Sequence, residues 1–204
     1  MSEAAPHPYE PVDAFIDKWR ARWPEWSVAE VFVPAAQRLP ALAWASLQQE
    51  LADAAWGGSD PRPGDAKLAW WQEELSGWSG GARRHPLGSV LQRTPAPWRE
   101  LSASLPALRA ARDRPASAGE AAAMLGPAAA SLARIDAALF ACDAADVEVV
   151  ALSLCQLQQL RLLVDPATAA PLSVVAAAGE ARAPAAWAAH LLADWPVARS
   201  AAAS

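Results

Sequence analysis

The stretch Lys67-Leu-Ala-Trp-Trp-Gln-Glu-Glu-Leu-Ser-Gly-Trp78 decides the fold. Its large apolar residues Leu68, Trp71, Leu75 and Trp78 recur at steps of three, four and three, which brings them to one face of a helix. Gln72, Glu73 and Lys67 fall mostly on the other face. Helically spaced aromatics fill a core before they do anything else. The spacing therefore predicts an amphipathic helix over 66–78 whose tryptophans pack inward. Glu73 and Glu74 are adjacent, point about 100° apart on such a helix, and cannot both grip one ion.

The rest of the chain is written in the same pattern. Apolar residues make up 53% of its 204 positions, and alanine supplies much of that share. Only Ile16 and Ile135, and only Thr94 and Thr168, represent their residue types. Strands favour β-branched residues and helices tolerate alanine best, so the expected fold is all-α. The 18 prolines then read as punctuation between helices. A single helical domain over 12–196 is expected, with a flexible N-terminus at 1–11 and a frayed tail at 197–204.

Helices are expected from Val12 to the break at Pro24, and over 26–33, 40–56, 66–78, 97–111, 118–142, 145–164, 172–178 and 183–195, with a short one starting at Leu87 and stopping near Thr94-Pro95. Gly57 to Gly64 reads as a loop, with Asp65 as the cap of the tryptophan helix. Gly80-Gly81 ends that helix. Gly126-Pro127 is expected to kink 118–142. The segment 145–164, with Val147, Val150, Leu154, Leu157, Leu160 and Val164, is the most hydrophobic and is expected at the centre of the bundle.

Net charge is −5 and the pI about 5.2, with no basic run, which argues against nucleic acid as a partner. Arginine outnumbers lysine by 15 to 2, which reads as codon usage and not as a site. Cys142 and Cys155 are too few for a disulfide framework and read as buried free thiols. The N-terminus has no secretory pattern, and no uninterrupted apolar run reaches the length of a membrane span. A cytoplasmic protein is expected, with peripheral membrane contact left open.

Catalytic candidates are few. His7, His85 and His190 are isolated, so no transition-metal site is expected. No nucleophile elbow or Gly-rich phosphate loop is present. His85 sits in a Pro-containing turn and reads as a turn-stabilising residue. Glu50 and Asp53, three apart on one helix, are the carboxylate pair able to approach each other and share a magnesium ion, although a solvated face is the plainer reading.

With these residues laid out, the chain resembles the squalene/phytoene synthase family over roughly residues 26–178. Three places carry the resemblance. The first is Phe32-Val-Pro-Ala-Ala-Gln-Arg38 running into Leu42 to Asp53. The second and most specific is Lys67 to Leu75 followed by His85-Pro86 and Leu91. The third is Arg114-Pro115, the alanine-rich helix through Gly126, Leu132 and Leu139, and Pro171-Leu-Ser-Val-Val175. The resemblance implies an isoprenoid synthase fold, C-terminally shortened relative to usual members. In catalytic members two Asp-rich motifs hold magnesium ions that neutralise a prenyl diphosphate leaving group. Carried onto this chain, the first motif falls on Ala52, Asp53 and Trp56, so only its middle Asp is retained. The second falls on Cys155 to Asp165, where Gln156 and Arg161 echo it without an acidic residue following Arg161. Glu50-Leu51-Ala52 matches the triplet of a non-catalytic branch related to assembly factors of mitochondrial respiratory complex I.

The resemblance thus implies a protein that has lost prenyltransferase activity, holds no cofactor, and binds a partner protein or an isoprenoid-like lipid. Residues expected to line a cavity or residual site are Gln49, Glu50, Asp53, Trp56, Gln156, Gln159 and Arg161. Two alternatives remain. One is an active magnesium-dependent head-to-head prenyltransferase using the displaced carboxylates Glu50, Asp53 and Glu74, with Arg161 on the diphosphate. The other is an unrelated all-α interaction module.

Overall fold

The computed structural model describes residues 10–141, 144–161 and 170–195. Every regular element among them is helical, as composition requires. In order these are α1 (Glu10–Arg22), α2 (Trp26–Ala29), a 3-10 turn (Glu30–Phe32), α3 (Ala35–Trp56), α4 (Pro61–Trp78), α5 (Gly88–Leu91), α6 (Trp98–Ala110), α7 (Ala118–Phe140), α8 (Ala144–Arg161), α9 (Leu172–Ala178) and α10 (Ala183–Ala193). Within the expected 12–196 span the chain groups into two compact units, Met1–Arg99 and Glu100–Ser204. Of the N-terminus expected to be flexible over 1–11, residues 1–9 lie outside the described residues while Glu10 and Pro11 open α1; the expected frayed tail 197–204 also lies outside them, as do Cys142, the end of the expected 145–164 helix and Asp165.

The first unit is built on indole packing. Nine of the eleven tryptophans precede residue 100, so the aromatic core belongs to this unit. The stripe expected on α4 is buried: Leu68, Trp71, Leu75 and Trp78 are each at most 4% exposed. Trp71 meets Trp78 at 6.5 Å, Trp78 meets Trp98 at 5.0 Å, and Trp98 meets Trp44 of α3 at 6.2 Å, all near edge-to-face. That geometry sets the positive ring edge against the negative ring face. α1 adds a second cluster of Val12, Ile16 and Trp19 against Leu42.

Two helix starts differ from the sequence reading. α4 begins at Pro61, not at 66, and its cap is Asp60, whose side chain accepts the Arg62 N–H at 3.0 Å. Pro61 and Pro63 occupy the first turn, where a backbone N–H has no intrahelical partner to lose. α3 begins at Ala35 and runs through Pro40. The proline removes one bond, to the carbonyl of Ala36, an exposed residue open to solvent. α7 likewise continues through Gly126-Pro127, and Ser131 donates back to the Pro127 carbonyl at 3.0 Å.

In the second unit, α7 and α8 pack together along their lengths. α7 starts on a capping arrangement in which Ser117 accepts the Glu120 N–H and Glu120 reaches back to the Ala116 N–H. It is long and apolar enough to cross a membrane by composition, with mean hydropathy 1.2. Its Leu125, Leu132 and Ile135 face is nevertheless buried within the unit. α8 corrects the expectation of a central apolar helix. Its buried residues are Cys155, Gln156, Gln158 and Gln159, while Val149, Leu152 and Leu157 are exposed. Two of these amides donate, Gln156 to the Asp194 carbonyl at 3.0 Å and Gln159 to Cys155 Sγ at 3.2 Å, while the Oε1 atoms of Gln156 and Gln158 are buried without a hydrogen-bond partner. Cys155 is a buried free thiol, as expected. Arg114 donates to the Ala170 carbonyl at 2.8 Å, and the Leu172 and Ser173 N–H groups donate to the Pro115 and Ala116 carbonyls. The 114–116 and 170–173 segments are therefore neighbours.

A close approach fixes one glycine. A Cβ on Gly88 would stand 3.0 Å from three atoms of the Trp78 ring. That ring has little room to retreat, because Trp98 and Trp71 pack against it near edge-to-face and Glu74 accepts from its Nε1 at 2.9 Å. Gly88→Ala is therefore expected to cost about 1–3 kcal/mol, even though alanine is the better helix former. Urea denaturation checks this through a lower midpoint at unchanged slope; an equal or higher midpoint would refute the packing argument.

Candidate functional site

Of the seven residues expected to line a site, Gln49, Glu50, Asp53 and Trp56 lie on α3 in the first unit. Gln156, Gln159 and Arg161 lie on α8 in the second. The first group gathers around Glu50, which is buried at 5% exposure. A buried carboxylate needs partners, since leaving it unpaired costs several kcal/mol. Both partners are lysines. Lys18 of α1 reaches Oε1 at 2.7 Å and Lys67 of α4 reaches Oε2 at 2.5 Å. These are the only two lysines in the chain. The reading of lysine scarcity as codon usage missed that both converge on one carboxylate from helices on either side of α3. Burial pushes the Glu50 carboxyl upward, but the two ammonium hydrogen bonds outweigh it and hold the group below the ordinary carboxylate value. Glu50 in turn raises Lys18.

Gln49 and Asp53 extend this cluster along α3. Gln49 Oε1 accepts the Trp23 Nε1–H at 3.0 Å, and its Nε2 donates to Asp53 Oδ1 at 2.7 Å. Asp53 also stands 4.0 Å from Arg22. Glu50 and Asp53 thus turn to different partners and do not form the pair that their spacing allowed. Trp56 closes α3 and is half-buried. A half-open groove of about 310 Å³ runs past these residues, lined by Phe15, Lys18, Trp19, Arg22, Gln49 and Asp53 together with Glu50.

The second buried carboxylate is Glu74, at 2% exposure. Its Oε1 accepts from Trp78 Nε1 at 2.9 Å and from the Arg84 and His85 backbone N–H groups at 2.7 Å each. Its Oε2 accepts from Arg84 Nε at 3.0 Å. Burial again pushes the carboxyl up, and these bonds outweigh it and hold it down. Glu73, its neighbour, is exposed and 3.5 Å from Arg84. Glu74 therefore pins the 79–87 turn onto α4, and Gly81 at φ +85° supplies the left-handed step that starts the turn.

His85 lands in an aromatic box, with ring centroids 4.5 Å from Phe15, 4.5 Å from Trp71 and 5.8 Å from Trp70. Its Nδ1 accepts the Leu87 N–H at 3.2 Å, which places the proton on Nε2 and makes it the turn residue its context suggested. Burial lowers its pKa to about 4, against the pull of Glu50 and Glu74.

On α8, Gln156 and Gln159 are buried. Gln159 donates to Cys155 Sγ at 3.2 Å and borders a cavity of about 10 Å³ with Met124, Leu125 and Trp187. That volume suits about one water. The Gln156 Oε1 has no hydrogen-bond partner. Arg161 is the last residue of α8, and its side chain lies outside the described residues.

These donor sets do not fit a magnesium diphosphate centre. Ala52 and Trp56 carry no oxygen ligand. Each oxygen of Glu50 is taken by an ammonium, and those of Glu74 by four N–H donors. No three potential ligands cluster among the described residues. The chain matches no protein-family model, no characterised protein and no solved structure.

The paired groups set the pH response. Between pH 6.5 and about 4 the unfolded chain takes up a proton that folded His85 refuses, so stability falls as pH falls. Below the ordinary carboxylate value Glu50 and Glu74 act in the same direction. Their depressed pKa values contribute stability that is present above the unfolded pKa and lost as pH drops through the folded one. Chemical denaturation at pH 7 and pH 5 should therefore show lower stability at pH 5, and His85→Gln should flatten that difference. A variant with the wild-type slope would show that His85 is not held neutral.

Proposed function

We propose that the chain is a non-catalytic relative of the squalene/phytoene synthases that acts by binding, with a partner protein or an isoprenoid-like lipid as its ligand. One observation carries this reading. The helix that resembles the first Asp-rich motif presents a carboxylate whose two oxygens are both neutralised by lysines of its own unit. A diphosphate leaving group calls for divalent cations held by free carboxylates. In this helix Ala52 and Trp56 stand where two such ligands would be, and Asp53 is hydrogen-bonded to Gln49. Releasing Glu50 to a metal would leave two ammonium groups facing each other.

The triplet Glu50-Leu51-Ala52 supports the non-catalytic branch, and in this chain its glutamate has a structural task. It joins α1, α3 and α4. The 114–116 and 170–173 segments, both within the third place of resemblance, are neighbours in the second unit. The active-enzyme alternative needs Glu50, Asp53 and Glu74 as ligands, and each is already engaged.

The test is incubation with farnesyl and geranylgeranyl diphosphate, with and without magnesium, followed by product analysis and melting curves. The expected outcome is no condensation product and no magnesium-dependent rise in Tm, whereas an uncharged isoprenoid that binds raises Tm by mass action. Magnesium-dependent turnover of either diphosphate would end the non-catalytic reading.

A further inference from the structure

The segment Trp26–Phe32, formed by α2 and the 3-10 turn, buries none of its residues. Val28, Val31 and Phe32 are 70%, 66% and 83% exposed. They stand at i, i+3 and i+4, which helical geometry brings to one side. Pro24 and Pro34 bracket the segment. Trp23 and Trp26 are half-buried at its base, packed on the Val12, Ile16, Trp19 and Leu42 cluster. Two guanidiniums hold its frame: Arg20 donates to Glu30 at 2.9 Å, and Arg38 Nε donates to the Val33 carbonyl at 3.0 Å. The result is an apolar tip on a rigid base.

We propose that this tip is a contact for a lipid surface, with Val28, Val31 and Phe32 entering the acyl boundary of a bilayer. Area and shape favour a bilayer over a protein. Three side chains expose at most a few hundred Å², well short of the ~800 Å² that each partner brings to a stable protein interface. They also stand well out into solvent. A bilayer needs no matching pocket and accepts protruding apolar side chains with cations at headgroup level. Tryptophan, here Trp23 and Trp26, suits the boundary between the two. Around the tip Arg20 pairs with Glu30 and Asp17, and Arg22 stands beside Asp53, so the contact is carried by apolar burial and not by charge. The inference stands independently of the prenyl-synthase-like reading, since it uses no residue of the Glu50 cluster.

Flotation of the full chain with vesicles tests it, using phosphatidylcholine alone and phosphatidylcholine mixed in equal parts with phosphatidylglycerol. The wild-type chain is expected to float with vesicles. Phe32→Asp is expected to lower the bound fraction on the order of tenfold. Leu172→Asp, at a residue 51% exposed in the second unit, is expected to leave it unchanged. Both sites are exposed, so neither variant should alter the far-UV spectrum. Absence of wild-type flotation on both vesicles overturns the proposal, as does an equal loss in Leu172→Asp. A Phe32-dependent dimer in light scattering without flotation also overturns it and assigns the tip to a second copy of the chain.

Discussion

The first unit depends on solving one electrostatic problem, the burial of the Glu50 carboxylate among tryptophan-lined helices. An isolated carboxylate there would be protonated or would open the structure. Two lysines arriving from α1 and α4 remove that cost, and in doing so they fix both helices against α3. The side chains of Lys18 and Lys67 remain 62% and 41% exposed, so each ammonium keeps much of its hydration while the carboxylate gives up its own. This asymmetry is what makes the arrangement affordable: only one of three charges is fully desolvated. Lysine suits the task, because a compact ammonium at the end of a flexible stem can reach a buried oxygen and stay wet.

Glu74 repeats the solution with different donors. Here backbone and side-chain N–H groups replace ammonium ions, and the product is a fixed turn in place of a fixed pair of helices. Both carboxylates act on His85, which remains neutral in its aromatic box because burial outweighs their attraction. The polar groups of this unit thus work as struts between indoles. The second unit uses other means. Its helices are alanine-rich, its buried polar groups among the described residues are serines and glutamines, and Trp187 with Leu191 anchors a further cluster. Among the described residues each oxygen of Glu50 and of Glu74 is occupied by donors of the first unit, and the proposed binding role rests on that observation.

Much of the fold was legible because periodicity is local. The stripe Leu68, Trp71, Leu75 and Trp78 announced the α4 core face, and alanine with few β-branched residues announced an all-α chain. Helix starts were misread where proline was taken as a break, since Pro61 and Pro63 sit in a first turn that has no use for their missing N–H groups. α8 was misplaced because its aliphatics suggested depth, while tertiary packing chose its glutamines. Glu50 was legible as a residue to watch, but its partners were not. They lie 32 and 17 residues away, and nothing local to Lys18 or Lys67 points to α3. The available signal was global: a chain with fifteen arginines keeps two lysines, and both have the same use.

The most direct test of the account is the stability of Glu50→Gln, measured by urea denaturation at neutral pH alongside a variant in which Lys18 and Lys67 are also replaced by methionine. If Glu50 is a structural clamp, glutamine leaves two ammonium groups without their counter-ion. Stability should then fall by about 1–2 kcal/mol, the screened remainder of a buried-pair loss, and the triple variant should recover part of it. If Glu50→Gln is instead as stable as the wild type or more so, the carboxylate is held there at a cost for binding or chemistry, and the structural account of this site is wrong.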